Sequence, residues 1–313
     1  MRTLSQIRDE VMAWMDEVGE ENLTKTNVDN AINRAHEMRC AMHPWHFMLW
    51  PREEQFTTVA NQTEYTLHPR YHKPLWFWNS TSKLPLREVP FRNIPMMGLQ
   101  YQQELAGTAA EFSMVGRSPI QNPIPAGGDL IRIVGGSSTT GSVQIQGYSD
   151  YAEDFVTETI TLTGEVFHVS TTNFVTITRI TKLTDWTVPM YVVADTSGTA
   201  LLSLGVGEYG KTYPQLMLYA KPPSGEVVKY RFYRTPEVLV NDYDIPDIPH
   251  PYDGILVFDT LLLMTGYNAK VSPVAIEEWR RLRSEIERQM FDFDAEQSLH
   301  GYTQFTNVDP YAL

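Results

Sequence analysis

The run from Thr26 to Trp50, TNVDNAINRAHEMRCAMHPWHFMLW, constrains the fold more than any other stretch of the chain. It reads as one amphipathic helix closed by an aromatic clamp. Thr26 fits the N-cap, with Asp29 in the first turn, where a carboxylate suits the positive end of the helix dipole. Val28, Ile32, Ala35, Met38 and Met42 recur at helical spacing. Pro44 disfavours helical geometry at His43, so the helix is expected to end or kink there. Trp45, Phe47, Leu49 and Trp50 then supply more apolar surface than a surface loop needs, and they must bury against other elements.

Two regions offer that burial. Upstream, Thr3-Leu4-Ser5-Gln6 fits a capping box, and Leu4, Ile7, Val11, Trp14, Met15 and Val18 follow at steps of three and four. Near the other end, Pro249 to Pro251 lead to a stripe of Ile255, Phe258 and Leu262. Ser272-Pro273 starts a last helix, with Ile276, Trp279, Leu282, Ile286 and Met290 on one face. Glu277 and Arg281 form a pair four residues apart. Between these ends the grammar is that of strands and turns. Val156, Glu158, Ile160 and Leu162 alternate with Phe155, Thr157, Thr159 and Thr161, and further short apolar runs are separated by Gly141, Gly164, Gly198 and Gly225. A short helical excursion is expected over 90–99.

The expected architecture is α+β. N- and C-terminal helices form a helical bundle because their four stripes must bury against each other, and a β-sandwich is inserted between its halves. The expected boundaries are 1–50 for the N-terminal hairpin, 51–129 for a strand- and turn-rich connection and 130–235 for an Ig-like sandwich. A C-terminal helical pair follows over 236–293, and an extended tail over 294–313. The expected bundle core contains Trp14, Ile32, Trp45, Phe47, Phe258, Trp279 and Ile286.

Charge and cysteine usage narrow the function. The net charge of −13 over 313 residues argues against a protein that grips nucleic acid through phosphates, which takes clustered Lys and Arg. It is compatible with an acidic wall past which DNA slides. Cys40 is the only cysteine, so no intrachain disulfide exists, and the chain is expected to fold in a reducing compartment. The opening MRTLSQIRDEV lacks the apolar run of a signal peptide.

The search for chemistry returns little. His36, His43 and His46 are poorly spaced for a metal because Pro44 interrupts the helix. Asp242, Asp244 and Asp247 have the spacing of a calcium loop but lack its glycine and closing glutamate. Phosphate-cradling loops, nucleophile elbows and dinucleotide fingerprints are absent from the sequence. The chain is expected not to be an enzyme and to use no cofactor and no metal.

Three segments resemble the head-to-tail adaptor, or connector, proteins of tailed bacteriophages. They are the N-terminal hairpin with Ala31-Ile32-Asn33-Arg34-Ala35 and Trp45-His46-Phe47, the β segment Glu158-Thr159-Ile160-Thr161-Leu162-Thr163-Gly164, and the proline-led pair from Pro249 with its aromatic tail. The resemblance implies a virion structural protein at the neck, made in the host cytoplasm. Such subunits form a homo-oligomeric ring, usually of about twelve copies, beneath the portal protein and above tail or nozzle proteins. Double-stranded DNA passes through the lumen without specific binding, and no membrane is involved. The resemblance also implies that Tyr302, Phe305 and Tyr311 anchor the C-terminal tail on the portal. Two other classes compete with this reading. One is a β-sandwich module binding carbohydrate or protein through an aromatic platform of Trp186, Tyr191 or Tyr209. The other is a cell-wall hydrolase, which would need acid and base residues converging in one cleft.

Overall fold

A computed structural model describes residues 1–17, 24–60, 62–90, 107–125, 127–136, 140–149, 154–184, 186–265 and 271–305, with side chains described through 297. Among the described residues are fifteen strands in four sheets and four α-helices: α1 (Leu4–Glu17), α2 (Lys25–Ala41), α3 (Ile255–Thr265) and α4 (Pro273–Phe305). The expectation of a helical bundle with an inserted Ig-like sandwich is overturned by this content, which is mostly β-sheet. Six strands lie between Glu54 and Ser118, within the stretch expected to be rich in strands and turns, and several of them pair with strands far downstream instead of serving only as a connection. The bundle expectation rested on the need of four stripes for burial. It carried no information about which distant strands would hydrogen-bond.

The chain divides into two compact units. The first comprises Met1–Arg52, His72–Leu75 and Arg231–Leu313. Its core joins Leu4, Ile7, Val11 and Met15 of α1 to Val28, Ile32 and Ala35 of α2, Trp45, Ile255, Leu261, Trp279 and Met290. The capping box of α1 forms as its residue types dictate: the Thr3 amide donates to Gln6 Oε1 at 3.0 Å, and the Gln6 amide to Thr3 Oγ1 at 3.4 Å. The α2 helix begins two residues earlier than expected from Thr26 as its cap. Thr24 is its N-cap and accepts from the Asn27 amide at 3.3 Å. It ends at Ala41, before Pro44. Met38 and Met42 are exposed, because the buried face of the second half runs through His36, Arg39 and Cys40 instead. Ser272 caps α4 by accepting from the Ala275 amide at 3.2 Å. The expected pairing of Glu277 with Arg281 is replaced by Glu277 with Arg280 and by Arg281 with Glu278 and Glu285. The helix continues to Phe305, so the expected extended tail is helical over its first part.

The second unit comprises Glu53–Tyr71 and Trp76–Tyr230. Two antiparallel sheets enclose one core that includes Ile131, Ile133, Val143, Ile145, Ile160, Leu162, Phe174 and Val192: one has the order β10 (Phe167–Phe174), β7 (Asp129–Val134), β12 (Met190–Ala194), β13 (Ala200–Leu204), the other β11 (Thr176–Lys182), β8 (Thr140–Tyr148), β9 (Phe155–Thr163). The strand β9 (Phe155–Thr163) buries Ile160 and Leu162 and leaves Thr157, Thr159 and Thr161 exposed, as its alternation requires. Glu158 on the same strand accepts from the Thr171 amide at 2.7 Å and the Thr172 amide at 3.0 Å, within the register shift of β10 (Phe167–Phe174). Two further sheets hold an aromatic cluster: one has the order β1 (Glu54–Thr57), β15 (Val227–Arg234), β3 (Tyr71–Asn79), β4 (Leu84–Pro85), the other β2 (Glu64–Thr66), β14 (Tyr213–Tyr219), β6 (Glu111–Ser118), β5 (Arg87–Glu88). In that cluster Phe77 stacks on Tyr230 at 5.2 Å, and Phe56 on Tyr65 at 4.7 Å. The helical excursion expected over 90–99 lies outside the described residues from 91 onward.

Candidate functional site

The first unit carries a buried ion-pair cluster and a cleft beside it. Arg39 of α2 sits where the apolar stripe would place a core residue, four positions after Ala35. Its guanidinium donates to both carboxylate oxygens of Asp259 at 2.8 Å and to Glu287 Oε1 at 2.5 Å. Arg283 adds a second cation on Asp259 at 2.6 Å. Burial alone would lower the Arg39 pKa, but hydrogen bonds and charge from Asp259 and Glu287 outweigh it and hold the group above the ordinary arginine value. The pair therefore ties α2 to α3 and α4 through one fixed fork.

A second knot fastens the segment after Arg234. This strap, residues 236–249, has no regular secondary structure and is held by polar ties instead. The Leu239 amide donates to Asn33 Oδ1 at 2.7 Å, and Asn33 Nδ2 returns a bond to the Leu239 carbonyl at 2.8 Å. The Leu4 and Ser5 amides donate to the Asp244 and Asp242 carbonyls at 2.8 and 3.2 Å. Arg8 and Lys25 both reach the Asp242 carboxylate, at 2.8 and 2.9 Å, and Arg8 also holds Asp29. Asp244 accepts from the Val240 and Asn241 amides, which depresses its pKa. Asp247 pairs with Arg234 at 2.7 Å and accepts from the Glu237 amide.

His36 completes the strap's anchorage. Its Nε2 accepts from the Asp247 amide at 3.2 Å, while the Asp247 carboxylate lies 3.8 Å away. Burial lowers its pKa below the ordinary value of 6.5, against the pull of Asp247, so the ring is the neutral acceptor that the amide needs. Burial likewise pushes the Cys40 thiol up, which leaves it an apolar filler rather than a nucleophile.

Beside this anchorage lies a cleft of about 390 Å³, walled by α2 from Asn30 to Ala41, by His72 and by Arg234–Val238. Its floor holds Cys40 and His36; its mouth carries Arg34, Glu37 and His72, all exposed. Every strap carboxylate described above already has a structural partner. The arrangement is suited to binding a side chain or segment.

The residues expected to form the core occupy this unit. Ile32, Trp45 and Trp279 are fully buried, Phe258 nearly so, and Trp14, Phe47 and Ile286 pack partly buried against them. Trp45 donates from Nε1 to the Arg39 carbonyl at 2.8 Å and stacks on Phe47 at 5.6 Å. Trp14 meets Phe258 edge-on at 6.2 Å. His43 packs between Trp45 and Phe291, with Nε2 3.2 Å from Asp294. Among the described residues no group of three or more His, Cys, Asp or Glu is placed to hold a metal ion. Tyr302 and Phe305 lie on the helical backbone of α4; their side chains, and Tyr311 altogether, are outside the described residues. Trp186 is buried in the β core, so it cannot belong to an exposed aromatic platform with Tyr191 and Tyr209.

The sequence analysis missed Arg39, Asp259, Arg8 and Asn33. A signal existed for the first two: a cation at stripe spacing in α2 and a carboxylate inside the apolar run of α3. Among the described residues, no helix is long and apolar enough to cross a membrane. No curated protein matches the chain. Residues 2–139, less than half of the chain, match the model of the SU10 adaptor protein family, which supports the resemblance to phage adaptors over that stretch.

Proposed function

We propose that the chain is a structural adaptor at the neck of a tailed bacteriophage. The observation that carries this reading is the match of residues 2–139 to an adaptor family. On this reading the subunits form a ring of about twelve copies below the portal. Tail proteins attach beneath it, and double-stranded DNA slides through the lumen. The formal net charge of −13 favours passage over retention. A helical unit cross-tied by Arg39 suits a part that must hold its shape under load. Tyr302, Phe305 and Tyr311 anchor the C-terminal segment on the portal.

The test is mass photometry of the full chain, alone and mixed with the portal of the same phage. The expected result is a portal species heavier by about a dozen subunits. Replacing Tyr302, Phe305 and Tyr311 together by serine is expected to weaken that binding at least roughly tenfold, as removal of aromatic anchors does. A chain that ignores the portal overturns the adaptor reading. A triple variant that binds normally overturns the tail's role alone.

A further inference from the structure

One buried ring closes the neck of the strap. His36 of α2, only 1% exposed, touches the strap near both of its ends. Its Nε2 accepts from the Asp247 amide at 3.2 Å, and the ring also hydrogen-bonds the Glu237 backbone. The Glu237 contact favours the charged ring, so the ring is the donor there. Residues 237 and 247 are also joined directly. The Glu237 amide donates to Asp247 Oδ2 at 3.0 Å, and Arg234 holds the other carboxylate oxygen at 2.7 Å. The span between them is a closed loop, of the compact surface kind whose ends meet. Its neck also walls the cleft, where Arg234, Glu237 and His36 lie with Cys40, the only cysteine of the chain. The other charged or titratable groups of the cleft are Arg34 and Glu37 of α2 and His72 of β3, all exposed.

A proton changes what His36 can do. The neutral ring offers one acceptor and one donor, whereas the charged ring offers two donors. On protonation the Asp247 amide loses its acceptor, and a charge stands at a buried position. The nearest carboxylate is that of Asp247 itself, 3.8 Å away, and it is shared by Arg234 and the Glu237 amide. Drawing it to the charged ring strips it from both. Either way the neck comes undone.

We infer that His36 is a proton-operated latch: when its ring is charged, the neck between Glu237 and Asp247 parts and the cleft opens down to Cys40. The middle of the loop stays tied, Leu239 to Asn33 and Asp242 to Arg8 and Lys25, so the opening is local. Burial holds the pKa of the closed ring below its ordinary value, so opening gains as pH falls below about 6.5, where a solvated imidazole charges. The latch works within one chain, whether or not that chain assembles on a portal.

The test reads the reaction of Cys40 with 4,4′-dithiodipyridine in the full chain, between about pH 7.5 and about pH 5. Each rate is divided by that of the urea-unfolded chain at the same pH, which removes the pH dependence of the reagent and the thiol. The quotient is expected to rise severalfold toward pH 5, under a ceiling of about thirtyfold set by an imidazole that titrates normally once the neck is open. It is expected to be insensitive to urea below about 1 M, the mark of local rather than global opening. In His36→Gln, shown to be folded by circular dichroism, no rise is expected, because glutamine keeps a donor and an acceptor and takes up no proton. A wild-type quotient that stays flat overturns the latch whatever the variant does. An equal rise in folded His36→Gln overturns it too. So does a steep dependence on low urea, which marks global unfolding as the route to Cys40.

Discussion

Arg39 shows how one side chain can organise a unit. A buried cation is costly unless its charge and donors are matched, and here both oxygens of Asp259 and one of Glu287 match them. Replacing Arg39 by Met keeps the stem's apolar packing but leaves two carboxylates short of a partner. Arg283 still neutralises part of that charge. The expected loss is about 3 kcal/mol, at the lower end for breaking a buried pair, read as a drop in urea midpoint. Replacing Glu277, whose partner Arg280 is largely exposed, is expected to leave the midpoint unchanged. A comparable loss at both positions would mean that Arg39 has no special weight.

At the scale of the element, the strap is ordered without a helix or strand to order it. Its backbone groups bond to Asn33, to the start of α1 and to its own Asp244. The His36 contact makes that order sensitive to acid. The folded-state pKa of His36 lies below 6.5, so as pH falls the unfolded chain takes up the proton first. The contribution of His36 is therefore fully present above about pH 6.5 and is lost as pH falls toward the lower folded-state value. Asp247 and the Glu237 backbone favour the charged ring and Arg234 opposes it, but burial outweighs them and sets the direction. Urea midpoints measured from about pH 7.5 to pH 5 should decline in wild type. They should decline less in His36→Gln, which has no imidazole to protonate. Equal slopes in the two proteins would place the acid sensitivity elsewhere than His36; Asp129, Glu158 and Asp244, whose pKa values are lowered, give up their contribution only below about pH 5.

At the scale of the molecule, net charge bears on the proposed passage of DNA. Binding to the duplex needs counterion release from clustered cations, and this chain is formally 13 charges negative. It is expected to give no shift of linear double-stranded DNA in a gel at about 50 mM salt, where phosphate contacts are strongest. A shift that fades with added salt would reveal a cationic track and contradict the sliding lumen. The β content belongs to this scale as well. The strands β1 (Glu54–Thr57) and β15 (Val227–Arg234) are neighbours in one sheet, as are β2 (Glu64–Thr66) and β14 (Tyr213–Tyr219) in another, although roughly half of the chain separates each pair.

What the sequence determined by itself is local. The Thr3 capping box, the Ser272-Pro273 start, the stop before Pro44 and the alternation of β9 all follow from interactions spanning two to four residues. The residue types carry them wherever the segment lies. The aromatic clamp at Trp45 announced a core in the same way, since so much apolar area has few places to go. Tertiary structure alone decided the rest. Arg39 and Asp259 are 220 residues apart, and nothing near either one names the other. Met38 has the spacing of a core residue and lies in water because Arg39 turns the buried face. The strap's path depends on Asn33, 206 positions before Leu239. The sheets were undercounted because a hydrogen-bonded ladder needs two strands in register, and the sequence of one strand does not encode its distant partner.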